Sequence, residues 1–160
     1  MPGKERLYKL SVLAYLILWF TGCFWLMAAI SSGLFEHALG IDLVLLKDYI
    51  YYGAAGAIGG TLYAMRLFHQ FYDSLTERWV LWYLLRPINC AGAAVMTIIL
   101  FESGVMLLQT GNSVLAKIGI AFLVGFGYGK VMDKLKSVTE TLFNGKSDSD
   151  SSDADRQSKP

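Results

Sequence analysis

The chain has 160 residues, 54% of them hydrophobic, a mean hydropathy of +0.43 and a formal net charge of +1. Average soluble domains are roughly 45–50% apolar even with glycine counted, so this composition points away from an ordinary soluble globule. Charged residues make up 17% of the chain, and no basic patch with interleaved aromatics is present, so nucleic acid is not an expected partner.

Residues 1–9 are short and basic, with Lys4, Arg6 and Lys9. Residues 10–30 then form an uncharged run. At 1.5 Å per residue, about 20 residues cross a hydrocarbon core of about 30 Å. A signal peptide is the rival reading, with Ala29 and Ser31 at the small-residue positions. Signal h-regions are typically about 7–15 residues, so an uncleaved first span is expected. The connection from Ser31 to Asp48 is half apolar and predicts a short interfacial helix. Its Glu36, His37 and Asp42 match no metal-ligand spacing and read as a solvated face; neither metal nor cofactor is expected.

Residues 49–67 are the second expected span. Gly53, Gly56, Gly60 and Ala64 lie on or near one helical face. In a soluble helix each glycine costs about 1 kcal/mol relative to alanine. In a bilayer small residues let a neighbouring backbone approach and drive association by van der Waals contact. Residues 67–85 change pattern: Phe68, Phe71, Tyr72, Leu75, Trp79, Trp82 and Tyr83 recur at three- and four-residue steps, with Asp73, Ser74, Glu77 and Arg78 between them. This predicts an amphipathic helix whose aromatics anchor at headgroup depth or dock a partner.

Proline disfavours helix at the residue before it and is tolerated in a first turn, so Arg86-Pro87 predicts a corner, with Arg86 an anchor at the membrane surface. Residues 88–108 form the third span, and its small-residue start, including Gly92, is expected to pack on the glycine face of the second. Residues 109–113, QTGNS, predict a turn with Ser113 as helix N-cap. Residues 114–131 form the fourth span, continuing into a polar helix with the stripe Val131, Leu135, Val138 and Leu142. From Asn144 almost nothing apolar remains and disorder is expected. The expected fold class is therefore an all-α integral membrane protein: a four-helix transmembrane domain over 1–143 and a cytoplasmic tail over 144–160.

Orientation follows from charge. The three segments 1–9, 66–86 and 130–160 hold twelve Lys/Arg, against Lys47 and Lys117 elsewhere. Positive residues stay on the cytoplasmic side, which puts both termini inside. Cys23 and Cys90 fall at different depths, too far apart for a disulfide's Cα separation of about 4.4–6.8 Å, and read as buried free thiols.

No nucleophile elbow, phosphate loop, HExxH or Cys/His metal pattern occurs, so no enzyme is expected. Glu102 is the residue that stands out, because a carboxylate within a span is costly and faces the bundle interior, a partner charge or water. In one reading it pairs with Lys117, since a hairpin turning near Gly111 brings the two to similar depth. In the other, several copies place Glu102 on a shared axis lined by Val95, Ile98, Met106 and Gln109, where a carboxylate ring favours cations.

With its Arg86-Pro87 corner, small-residue third span and GFGYGK exit of the fourth, the chain resembles in size and layout the small multipass inner-membrane effectors of bacterial antiphage defence systems. The resemblance implies a homo-oligomer in the inner membrane that perturbs the bilayer when a sensor partner activates it. The alternative is an accessory or scaffolding subunit of a larger membrane complex, docked through the aromatic segment 67–85.

Overall fold

A computed structural model describes residues 2–33, 43–72, 75, 77–104 and 113–144. Over these the chain is helical: α1 (Pro2–Ser31), α2 (Leu43–Gln70), α3 (Glu77–Glu102), α4 (Val114–Phe126) and α5 (Tyr128–Asn144). Two compact units result, Met1–Tyr128 and Gly129–Pro160. Two helical segments are long and apolar enough to cross a membrane, Arg6–Ser31 and Trp79–Glu102. A third candidate exists if α4 and α5 count as one broken span.

The second expected span behaves differently. Its helix α2 does not pass that length-and-hydropathy test, yet residues 54–61 are all buried. Helices α1, α3 and α4 all pack on α2. A helix wrapped by protein does not meet lipid, so it needs small, close-fitting residues more than hydropathy. On the α3 side, a Cβ added to Gly56 would collide with the Cβ of Ala94 and lie 2.7 Å from the Cys90 carbonyl oxygen. One added to Gly60 would lie 2.5 Å from Cys90 Sγ. On the α4 side, a Cβ at Gly59 would strike the backbone of Phe122 and one at Gly125 the backbone of Gly56. The third side is covered by α1, where Val12 and Leu16 pack in one buried cluster with Ala64 and Phe68, and Cys23 in another with Ala54, Ala57 and Ile58. The paired positions run in opposite senses along α1 and α2, and along α2 and α3, so neighbours in sequence are antiparallel.

Several expectations are corrected. Gly92 is exposed, with open space where its Cβ would be; Cys90 and Ala94 make the close contact instead. Pro87 makes no corner, because α3 runs through it. Proline costs about 3 kcal/mol in a helix interior, but the Pro87 ring is fully buried and packing outweighs the cost. The amphipathic segment 67–85 is therefore not one helix: residues 67–70 finish α2 and residues 77–85 begin α3. The third span ends as helix at Glu102, followed by a turn in which Gly104 has φ +77°. The fourth helix is broken at Gly127, whose N–H still reaches the Leu123 carbonyl at 2.8 Å. Glycines at 125, 127 and 129 make continuation expensive. Thirteen residues at 1.5 Å each give α4 only about 20 Å.

Ser113 caps α4, its Oγ accepting from the Ala116 N–H. Cys23 and Cys90 are buried free thiols. The interfacial helix with Glu36, His37 and Asp42, the positions Met106 and Gln109, and the tail beyond 144 lie outside the described residues. In the second unit, Lys136 pairs with Glu140 one turn on at 3.9 Å. Val131, Leu135 and Val138 are half-buried, while Leu142 is exposed.

The seam predicts an asymmetric glycine scan. Gly125→Ala should destabilise the bundle by about 1–3 kcal/mol, because a backbone cannot step aside for the new methyl. Gly119→Ala, with open space at its Cβ, should be neutral or stabilise by up to about 1 kcal/mol. Thermal unfolding in mild detergent checks both.

Candidate functional site

Two charged features mark opposite ends of α3. Glu102 is its last residue and Lys117 lies in the first turn of α4. The helix C-terminus carries partial negative charge and the N-terminus partial positive, so each side chain sits at the pole that disfavours it. The two compensate one another: Lys117 Nζ donates to Glu102 Oε1 at 2.6 Å. The pair is at the bundle's edge, with the lysine side chain 15% and the carboxylate 35% exposed. Of the residues expected beside Glu102 on a shared axis, Ile98 is fully buried and Val95 packs on Gly53.

Sixteen residues earlier, about 24 Å along the helix, lies Arg86. It is 9% exposed and so is not a surface anchor. Its guanidinium carbon is 4.4 Å from the ring centroids of Tyr63 and of Trp82, and 5.7 Å from that of Tyr128. Positions in α2, in α3 and at the first residue of α5 thus supply the cage. Trp82 comes from one turn earlier on the same helix. Tyr63 is reached because Gly60 lets α3 come close, and its ring meets Phe126 edge-on at 5.6 Å. Cys90 lies one turn further along α3, with its thiol beside the guanidinium. The buried Nε has no hydrogen-bond partner, and no described carboxylate pairs with Arg86.

The aromatic residues divide. Phe68 is buried at 4% and Trp82 is half-buried, so neither is an exposed anchor, whereas Phe71, Tyr72 and Trp79 are 49%, 43% and 50% exposed. Phe71, Trp79, Leu67, Leu75 and Tyr83 line an apolar cavity of about 150 Å³. This end is tied together by Lys9 over the Tyr72 ring at 4.8 Å. The Tyr8 hydroxyl donates to the Leu75 carbonyl at 2.8 Å, and Tyr15 donates to that of Leu84 at 2.9 Å. Among the described residues no group of three His, Cys, Asp or Glu side chains could hold a metal. Of the cage, the i,i+4 spacing of Trp82 and Arg86 was visible in sequence; the convergence of Tyr63 and Tyr128 from other helices was not.

Compared with known proteins, the chain matches no family, no curated protein and no solved structure.

Breaking the Glu102–Lys117 pair tests its role. Glu102→Leu and Lys117→Leu should each destabilise the bundle, and the double variant should lose less than the sum. A coupling of about 0.5–2 kcal/mol is expected from interhelical polar pairs in membranes, read from a double-mutant cycle of unfolding midpoints.

Proposed function

We propose that this chain is a non-enzymatic integral membrane protein that acts by association, as an accessory or scaffolding subunit of a larger membrane complex. The carrying observation is the aromatic end: Trp79 and Phe71 stand half-exposed at the rim of an apolar cavity of about 150 Å³. Aromatic anchors in or beside a pocket are where partner binding concentrates its energy. The small-residue interior supports this reading, since the space at Gly53, Gly56, Gly59 and Gly60 of α2 is taken up by the chain's own neighbouring helices.

The proposed orientation has both termini in the cytoplasm of a cell with an inner membrane. Lys9, Arg66 and Arg86 belong to the helix ends that meet at the aromatic end, the start of α1, the end of α2 and the first half of α3. By the positive-inside rule, this reading has the docking surface on the cytoplasmic side. In this reading the Arg6–Ser31 and Trp79–Glu102 segments cross the bilayer, α2 crosses inside their protein shell, and α4 with its continuation completes four passes.

A second reading is a homo-oligomeric membrane-perturbing effector, of the kind found in antiviral defence, triggered by a cytoplasmic or membrane sensor. It is favoured by the partly exposed Glu102 carboxylate and by the open outer positions Gly22, Gly92 and Gly119, where helices of another copy have room to approach.

Affinity purification in mild detergent separates the two. The docking reading predicts a stoichiometric membrane-protein partner that Trp79→Ser removes while the helical circular dichroism is kept. The effector reading predicts rapid depolarisation on induced expression, weakened by Glu102→Gln, and a purified oligomer of this chain alone.

A further inference from the structure

We propose that the cage around Arg86 is a binding site for a phosphate group, carried by an anionic lipid headgroup or free in the cytoplasm. The inference is independent of whether the chain acts as a scaffold or an effector. A guanidinium stays charged in a protein and presents five N–H donors in one plane. Arg86 is nine-tenths buried, and desolvating such an ion is costly. The ring faces of Tyr63, Trp82 and Tyr128 attract the cation without satisfying its in-plane donors, and its side-chain partner Cys90 is only a weak acceptor. The Nε hydrogen has no acceptor at all, and no described carboxylate pairs with the side chain.

Beside this cation is a cavity of about 100 Å³, lined by Trp82, Leu85, Arg86, Asn89, Cys90 and Tyr128. One water needs roughly 10–15 Å³ of such space, so there is room for a larger guest. Its chemistry is complementary to a phosphate. Arg86 offers the fork that matches two phosphate oxygens, and the exposed Asn89 amide can donate a further bond. The setting suits a lipid headgroup. The outward neighbours Leu85 and Ile88 are exposed apolar residues, 45% and 54%, against which acyl chains can lie while the phosphate reaches inward. The rings of Trp82, Tyr63 and Tyr128 hold the guanidinium in place before the anion arrives, and preorganisation of this kind lowers the ordering cost of binding.

The test uses the full chain purified in a neutral detergent and follows its thermal unfolding midpoint. Additives are dihexanoyl-phosphatidylglycerol, dihexanoyl-phosphatidylcholine, and sodium phosphate against sodium chloride at equal ionic strength. A ligand bound only by the folded state raises the midpoint as its concentration rises. A rise with phosphatidylglycerol and not with phosphatidylcholine identifies a headgroup site; a rise with sodium phosphate over chloride identifies a site for free phosphate. Arg86→Lys keeps the charge but loses the fork and should weaken the response about tenfold. Asn89→Leu, at an exposed position that folding tolerates, should weaken it several-fold and serves if the Arg86 variant does not fold. The proposal is overturned by no response to either anion, by an equal response to phosphatidylcholine, or by a full response in folded Arg86→Lys or Asn89→Leu protein.

Discussion

At Gly56, Gly59 and Gly125 the backbones of three helices come so close that a single methyl group on any of them would meet main-chain atoms of a neighbour. Everything else in the bundle follows from that proximity. Dispersion contacts fall off steeply with distance, and in lipid they replace the hydrophobic effect as the force between helices. The closeness of α3 to α2 at Gly60 also sets where Arg86 can lie, since the Cys90 side chain and the Arg86 carbonyl lie over that glycine and the guanidinium rests on Tyr63 of α2.

Helix α3 carries an unusual charge arrangement as a result. Near its start is a cation held by ring faces and lacking a described counter-ion; at its end is a carboxylate neutralised by a lysine of the next helix. Both are solutions to the same problem, an ion in a poorly hydrated setting, and they differ in completeness. Glu102 and Lys117 neutralise each other. Arg86 is stabilised in part and keeps an unused donor. The difference is what separates a structural charge from one available for recognition.

Much of the architecture was legible in the sequence, for identifiable reasons. Long uncharged runs give away α1 and the bulk of α3. The proximity of Glu102 and Lys117 follows from their similar distance to the turn near Gly111. The Ser113 cap follows from residue type and position. Other features depended on tertiary packing. The interior place of α2 is not read from hydropathy, because a helix enclosed by others need not be oily; its glycines were the better guide. Pro87 reads as a break by local rules, yet its buried ring lets α3 continue. Gly92 and Cys90 differ by only two positions, and about 200° of helix rotation separates them, so a composition-level view of a small-residue patch could not tell which one faces α2. Arg86 looked like a surface anchor because basic residues at span ends are usually that, and only the convergence of Tyr63 and Tyr128 makes it an interior group.

The choice between Gly92 and the Cys90–Ala94 face is also where the packing of this fold can be tested in one step. In a background with Cys23 and Cys90 changed to alanine, cysteines would be placed at 53 and 95, or at 53 and 92, and oxidised in native membranes. The Cβ position at Gly53 lies 3.5 Å from a Val95 methyl, so positions 53 and 95 face one another. A fast intramolecular bridge for the 53/95 pair and none for 53/92 is the predicted result. A bridge for 53/92 with none for 53/95 would contradict it, and with it the seam that positions α3, Arg86 and the aromatic end.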